Sequence, residues 1–275
     1  MIPLDVVRNV ARELDEAGVP SPRVDAEHLV AHVLGLSRSE LYSSDVELAE
    51  PQSSRLRTLV ERRRLREPLA YVLGEWGFRR LMLTVDPRAL IPRPETEVVV
   101  ERCLDRLHGA SEPRVLEVGV GSGAIALAIA DEHPSARVVA IDRAEGALAL
   151  ARVNLARTGI DGRVELVHGH LLAGLEGLFD LVVSNPPYVL PDEFDSLQPE
   201  IRLYEPRDAL VGEGVGEEIA RRARDVLRPS GWIVLESADG RAEALASALQ
   251  GLGYEDVMTT PDLAGRPRVV EARRP

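Results

Sequence analysis

Asn185, Pro186, Pro187 and Tyr188 stand in a row directly after LFDLVVS, an apolar run typical of a buried strand. Two successive prolines have fixed φ angles and no N–H groups, so this turn is stiff and its carbonyl oxygens have few local partners. The Asn185 side-chain oxygen and the Pro186 carbonyl could accept both N–H bonds of an NH₂ group attached to a planar π system. Tyr188 could pack on that plane.

Such a nitrogen is a weak nucleophile because its lone pair is delocalised. Fixing it in front of an electrophilic methyl group, and stabilising the positive charge that grows on it, would promote methyl transfer. No strong general base is needed, since the methylated nitrogen becomes acidic enough to lose a proton afterwards. The motif therefore favours an amino-methyltransferase over a structural turn. Adenine and a glutamine side chain present the same donor pair, so both stay open as acceptors at this point.

A glycine-rich turn lies three strands earlier, within VLEVGVGSGAIALAIA. Glycines let the backbone turn tightly and approach a ligand, and the helix that follows offers free N–H groups at its start. Asp142 ends the next strand, where a carboxylate can accept hydrogen bonds from both ribose hydroxyls. The turn also matches the G-x-G-x-x-A pattern of dinucleotide sites. Glu117, just before the glycines, suits an ammonium-bearing ligand better than a pyrophosphate, which favours S-adenosylmethionine. The turn comprises Gly119, Val120, Gly121, Ser122 and Gly123.

Three kinds of periodicity indicate the elements that position these turns. Residues 1–66 repeat apolar positions at helical spacing, which predicts a small bundle of about four helices. We expect this bundle to recognise the protein substrate. Residues 67–97 change to alternation and predict a β-hairpin linker and a junction loop. Residues 98–275 alternate strand and helix, which predicts an α/β catalytic domain. Its sheet is expected to be mainly parallel and Rossmann-like, with ligands at the carboxyl ends of the strands.

Composition excludes several classes of protein. The chain of 275 residues carries 33 basic residues, all Arg, against 45 acidic ones, a net charge of −12 that makes it a poor scaffold for nucleic acid. A single cysteine, Cys103, cannot form an intrachain disulfide or a Cys-x-x-Cys metal motif. His28 and His32 are four residues apart on a predicted helix, but the sequence places no third metal ligand near them, so we expect no metal site. With no signal-peptide pattern and no apolar run of about 20 residues, we expect a soluble, cytoplasmic monomer that contacts no membrane.

The sequence LIPRPETE at residues 90–97 discriminates between the two acceptors. Together with NPPY, REPLAYVLGEWGF, YEPRDAL and PDLAGRPRVV, it resembles the release-factor glutamine methyltransferases, the PrmC/HemK family, from about Arg66 to Val270. The resemblance implies a role in translation termination. It implies transfer of methyl from S-adenosylmethionine to the side-chain amide of the glutamine in the Gly-Gly-Gln loop of class I peptide-chain release factors.

The resemblance also implies roles for individual residues. It places Gly119–Gly123 and Asp142 on the cofactor and Asn185–Tyr188 around the glutamine. Asn185 would lie between the glutamine and the cofactor and contact both. Arg93 and Glu95 would belong to a junction loop that shapes the site.

Three positions depart from the family pattern. Glu117 stands where Asp is frequent. His170 stands where Asp usually precedes the residue that lines the adenine, so the adenine contact is assigned to His170 or Leu171. Glu236 lacks the Gly and Gln that often follow it. None of these positions belongs to the NPPY tetrad.

Three alternative functions are weighed against this one. A glutamine methyltransferase of a ribosomal protein is disfavoured because this chain has an intact IPRPETE, whereas that group of enzymes resembles a PRSP-type variant at the same place. An adenine-N6 nucleic-acid methyltransferase is disfavoured by the acidic charge and by the lack of an insert large enough to read a target sequence. A non-catalytic module that keeps the cofactor fold is disfavoured by the complete NPPY.

Overall fold

The computed structural model describes residues 3–160, 162–175 and 177–275. Its contacts divide the chain into two compact units. The first unit comprises the chain up to Glu75 together with Leu197–Tyr204, and the second comprises Trp76–Ser196 and Glu205–Pro275. The sequence pattern divides the chain at residues 66 and 97 instead, and it contains no sign that Leu197–Tyr204 joins the N-terminal helices.

The first unit is helical, as its periodicity predicts. Its interior is formed by apolar side chains that recur at helical spacing, with Leu14, Leu29 and Leu41 fully excluded from solvent. A left-handed Gly35 ends the second helix and donates its N–H to the carbonyls of the last turn. The helices are α1 (Pro3–Glu16), α2 (Pro22–Leu34), α3 (Glu50–Arg64) and α4 (Leu69–Leu73), with a 3₁₀ turn at Glu40–Tyr42.

A buried ion network attaches Leu197–Tyr204 to this unit. Arg63 is 4% exposed and donates to Asp25 at 2.7 Å and to Glu200 at 2.9 Å. Arg66 adds two bonds to Glu200, at 2.6 and 2.7 Å. Because Glu200 is itself buried, its ionised form needs these two arginines, and their bonds connect a segment distant in sequence to this unit.

The linker contains a hairpin shorter than its alternating pattern suggests. Strands β1 (Glu75–Phe78) and β2 (Leu81–Thr84) pair with each other. The preceding residues form α4 because three consecutive side chains of LAYVL are buried, which a strand with one solvent face cannot provide. Gly74 ends that helix in the left-handed conformation.

The second unit is built on a seven-stranded sheet with the order β5-β4-β3-β6-β7-β9-β8. β3 to β7 run parallel, and β9 runs antiparallel to both of its neighbours. The strands are β3 (Arg114–Val118), β4 (Arg137–Asp142), β5 (Val164–His168), β6 (Phe179–Ser184), β7 (Leu227–Glu236), β8 (Glu255–Pro261) and β9 (Pro267–Arg273).

Helices cover both faces of this sheet, so neighbouring residues of a strand enter different cores. Along β6, Leu181 and Val183 belong to one core and Val182 to the other. The helices in chain order are α5 (Thr96–Leu107), α6 (Ala124–Glu132), α7 (Glu145–Thr158), α8 (Pro199–Tyr204, in the first unit), α9 (Arg207–Leu210), α10 (Val215–Val226) and α11 (Ala242–Gly251). The predicted Rossmann-like α/β fold with an N-terminal helical bundle is confirmed.

The strand order reverses at β3. Its neighbours are β4, which follows it in sequence, and β6, which returns to its other side. The carboxyl ends of these three strands therefore meet at a topological switch point, the place where such sheets bind ligands. The glycine-rich turn, Asp142 and Asn185 follow or end these three strands.

Candidate active site

A cavity of about 440 Å³ opens at this switch point. It brings together most of the residues that the sequence singles out. Those that line it are Glu117, Gly119, Val120, Gly121, Ser122, Asp142, His170, Leu171, Asn185, Pro186, Pro187 and Arg93. Gly123, Tyr188 and Glu95 do not line it.

The glycine-rich turn is held by backbone bonds to β4. The N–H groups of Gly119 and Val120 both donate to the carbonyl of Ile141, at 2.8 and 3.1 Å. Gly123 precedes α6 with φ of 89°, and a Cβ there would lie 3.0 Å from Leu127 Cδ1. The turn therefore needs glycine for conformation and for close packing on the helix, and several of its N–H groups are already engaged within the protein.

Asp142 fixes the turn from the end of β4. Its Oδ2 accepts the N–H of Gly121 at 2.9 Å, and its Oδ1 accepts the N–H of Ala144 at 2.9 Å. Each carboxylate oxygen has a second acceptor position. Asp142 can thus hold the turn in place and still accept hydrogen bonds from a vicinal diol in the cavity.

Glu117 is a buried carboxyl on the cavity wall. It is 1% exposed, and its Oε2 accepts the N–H of Ala126 at 2.8 Å. Burial, together with the nearby charge of Asp142, raises the pKa of Glu117 well above its ordinary value. In the described part of the chain no cationic side chain pairs with it. A ligand ammonium would supply that missing positive charge, so these donors and acceptors fit S-adenosylmethionine.

Asn185 begins the turn after β6 and is oriented by two buried neighbours. Its Nδ2 donates to Thr96 Oγ1 at 3.2 Å. The Thr96 hydroxyl in turn donates to Glu236 Oε2 at 2.6 Å. Among the described residues, no donor takes the Asn185 side-chain oxygen, which therefore stays available to a ligand.

Tyr188 lies outside the cavity, in a charged environment. Burial raises the pKa of Tyr188 to about 12, with a further contribution from the negative charge of Glu236. Its backbone carbonyl accepts a hydrogen bond from Arg241 at 2.7 Å. The turn that begins at Asn185 is thus anchored at both ends.

The junction loop is tied down by a buried carboxylate, Glu205. Arg93 donates to Glu205 Oε1 at 2.5 Å, and the Ile91 N–H donates to its Oε2 at 3.2 Å. Glu95 instead accepts a bond from Arg266, at 3.4 Å. Sequence reasoning missed the roles of Glu205 and Thr96, although both lie inside quoted motifs, YEPRDAL and LIPRPETE.

The loop after β5 contributes His170 and Leu171 to the cavity wall. Leu171 adopts φ of 53°, and the preceding Gly169 has no room for a side chain, because a Cβ would lie 2.7 Å from Ile141 Cδ1. His168 Nε2 bonds with the carbonyl of Arg143 at 3.1 Å.

Within residues 3–160, 162–175 and 177–275, no cluster of His, Cys, Asp and Glu side chains could hold a metal ion. Over the same ranges, no helix has the length and apolar composition needed to cross a bilayer.

Two family models match the chain. Residues 5–74 match the PrmC N-terminal domain, and residues 96–198 match the methyltransferase small domain. The release factor glutamine methyltransferase of Deinococcus radiodurans is 42% identical, with 98% of each chain covered. That of Geobacter sulfurreducens is also 42% identical, with 94% of this chain and 92% of the relative covered. A methyltransferase structure from Pyrococcus furiosus has the same fold, with a TM-score of 0.54, 20% identity, and coverage of 82% of this chain and 99% of that one.

Proposed function

The chain belongs to the family of release factor glutamine methyltransferases, and we propose that it methylates the Gly-Gly-Gln glutamine of class I release factors. S-adenosylmethionine is the proposed methyl donor. The observation that carries the proposal is that Asn185 lines the same cavity as Glu117 and Asp142. The cavity therefore contains a hydrogen-bond acceptor for a substrate amide, on Asn185, and two carboxyl groups suited to a cationic nucleoside, on Glu117 and Asp142.

The cofactor assignment follows from the donors and acceptors of the cavity. Glu117 would bind the ammonium group, Asp142 the ribose hydroxyls, and His170 or Leu171 would contact the adenine. The glycine-rich turn leaves room for close backbone approach. When bound, S-adenosylmethionine supplies an electrophilic methyl group on a sulfonium.

Asn185 and Pro186 would act on the accepting amide. The two N–H bonds of the glutamine side chain would go to the Asn185 Oδ1 and the Pro186 carbonyl, which orients the nitrogen lone pair toward the methyl group. As nitrogen becomes positively charged, its N–H bonds become more acidic and both hydrogen bonds strengthen, so binding is tighter in the transition state than in the ground state. The proton is then lost to solvent without a dedicated base.

The neighbouring residues would shape the acceptor site. Pro187 lines the cavity. Tyr188, next in the chain, lies outside this cavity, so its proposed packing on the flat amide would take place where the glutamine side chain enters. Arg93 holds the junction loop through Glu205.

We also propose that the N-terminal helical unit recognises the release factor. A release-factor KM that stays unchanged when exposed residues of this unit are substituted would contradict that role.

The acceptor is tested by methyl transfer from radiolabelled S-adenosylmethionine. Release factor, total ribosomal protein and DNA are offered in separate reactions, with a release factor whose Gly-Gly-Gln glutamine is replaced by alanine as the control. Label is expected only in the release factor with intact glutamine. Label in DNA alone, in ribosomal protein alone, or in the alanine control would contradict the proposal.

The role of Asn185 is tested by Asn185→Ala. Removing one preorganised hydrogen-bond partner of a transition state typically costs about 10²–10³ in rate. The variant should fold, bind the cofactor with nearly unchanged affinity and turn over at least about a hundredfold more slowly. Asn185→Asp keeps an oxygen but adds a negative charge near the sulfonium, so partial activity and altered cofactor affinity are expected. A near-normal kcat for Asn185→Ala would show that the tetrad is only structural.

A further inference from the structure

We propose that Thr96 and Glu236 are positioning residues for Asn185, and that their hydrogen bonds determine which end of its side-chain amide faces the substrate. The inference rests on the proposed role of Asn185 in holding the glutamine. It adds two residues to the site, neither of which would touch the reacting atoms.

The three side chains come from three different elements. Thr96 is the first residue of α5 and is 4% exposed, while Glu236 is the last residue of β7 and is 2% exposed. Asn185 follows the end of β6. Asn185 Nδ2 lies 3.2 Å from Thr96 Oγ1, and Thr96 Oγ1 lies 2.6 Å from Glu236 Oε2. Thr96 and Glu236 are buried and depend on each other for this hydrogen bond, whereas Asn185 is half-buried and lines the cavity.

The chemistry of the three groups fixes which group donates and which accepts in each of the two hydrogen bonds. An ionised carboxylate can only accept, so the single hydroxyl proton of Thr96 must go to Glu236. Thr96 then has only lone pairs left for Asn185, and it can pair with the amide NH₂ but not with the amide oxygen. A flipped Asn185 would place two acceptors against each other. The ionised form of Glu236 therefore leaves the Asn185 oxygen to the substrate.

The charges around Glu236 are mixed. Arg268 on β9 and Arg93 in the junction loop act on it as positive charges, and Glu95 acts as a negative one. Among the described residues, the hydrogen bonds of these arginines go elsewhere: Arg268 donates to the Ser237 carbonyl at 3.0 Å, and Arg93 donates to Glu205. Thr96 is thus the described hydrogen-bond partner of Glu236.

Protonation of Glu236 would remove this fixed order of donors and acceptors. Burial raises the pKa of Glu236 to about 7, while the bond from Thr96 and the charge of Arg268 act in the opposite sense. A protonated carboxyl can donate to Thr96, which frees the Thr96 hydroxyl to donate to the Asn185 side-chain oxygen. The Asn185 amide could then flip and present its NH₂ group to the substrate. Turnover should therefore fall as the pH decreases through the neutral range.

The experiment compares Thr96→Val, Thr96→Ser and Glu236→Gln in the full-length enzyme with release factor as substrate. Thr96→Val keeps the shape and removes the hydroxyl, and we expect kcat to fall about tenfold or more, with both KM values within about twofold of wild type. Thr96→Ser restores the hydroxyl and should recover kcat to within about threefold. Glu236→Gln should lower kcat at pH 8 and remove the acidic limb near pH 7 from the kcat profile. Thr158→Val, at the end of α7 and outside the cavity, is the matched control.

Several outcomes would overturn the proposal. One is a Thr96→Val variant with unchanged kcat. A second is an equal loss in Thr96→Val and Thr96→Ser, or a change only in KM and melting temperature, which would make the contact structural. A third is a Glu236→Gln variant that keeps the wild-type pH profile. If Asn185→Ala is slow while Thr96→Val is normal, the positioning role fails and the proposed function stands. If Asn185→Ala keeps its kcat, the proposed role of Asn185 fails first.

Discussion

Replacing Glu117 by glutamine is expected to weaken cofactor binding and, at the same time, to stabilise the free protein. Glutamine has nearly the same shape, and its side-chain oxygen can still accept the Ala126 N–H, which Glu117 accepts at 2.8 Å. The substitution removes the charge and leaves the shape of the cavity wall. The two effects have opposite signs because the same buried charge opposes folding and attracts a cation.

The expected loss of affinity follows from the proposed contact between Glu117 and the cofactor ammonium group. A hydrogen bond to a charged group is worth about 1.5–3 kcal/mol, which corresponds to roughly 10- to 150-fold in the Kd of S-adenosylmethionine. Because burial raises the pKa of Glu117 and the bound cation favours the carboxylate, wild-type affinity should rise with pH, by up to about tenfold per unit below the pKa of the free protein. Glu117→Gln should lack this component.

The gain in stability follows from proton linkage. Between the unfolded and the higher folded pKa of Glu117, the folded state holds more protons than the unfolded state, so the free energy of unfolding decreases as the pH rises. The largest slope for one group is about 1.4 kcal/mol per pH unit. The difference in unfolding free energy between Glu117→Gln and wild type should therefore grow from pH 5 upward, in favour of the variant.

Calorimetry and urea denaturation measure the two effects independently. Titration of cofactor in buffers of different ionisation enthalpy should detect proton release with wild type and less with Glu117→Gln. Glu165→Gln, an exposed change of the same charge on β5, is the control and should alter neither quantity. Equal cofactor affinity and an equal pH slope in Glu117→Gln and wild type would refute the assignment of the ammonium site.

Three further predictions concern the cofactor turn and the first unit. Asp142→Ala should weaken cofactor binding by roughly 2–4 kcal/mol, since two charge-assisted bonds are lost, and calorimetry with unchanged affinity would remove it from the site. Burial alone would raise the pKa of Glu27, but its hydrogen bonds lower that pKa to about 2. In urea denaturation, the unfolding free energy that this carboxylate contributes should be lost as the pH falls from about 4.5 to 2, and Glu27→Gln should lack this pH dependence. Arg63→Met should cost about 3–5 kcal/mol of unfolding free energy, because it removes the arginine from the buried Asp25 and leaves Glu200 with Arg66 alone. Arg57→Met, at an exposed pair, should cost less than about 1 kcal/mol, and similar costs for the two variants would show that the network adds little.

Much of the fold was predictable because it depends on short stretches of sequence. Helical spacing before residue 66 and strand–helix alternation after residue 98 reflect which faces each element buries. The predicted hairpin is too long because LAYVL is too short to show a helical period, and the sequence pattern groups it with the alternating residues that follow it although three of its consecutive side chains are buried. The attachment of Glu200 to Arg63, 137 residues apart, left no local signal at all.

The sequence by itself determined the chemistry that the candidate site can perform. The stiff turn that begins at Asn185, the glycines after β3 and the carboxylates of Glu117 and Asp142 are each set by neighbouring residues, since proline and glycine restrict or free the backbone locally. Only the tertiary structure decided the partners. The bonds that orient Asn185 span 89 residues to Thr96 and a further 140 to Glu236, and they form because the strand order brings separate carboxyl ends to one edge of the sheet. Among the residues that the structure describes, that packing also leaves Glu117 without a cationic partner, which is a property of its surroundings rather than of its position in the sequence.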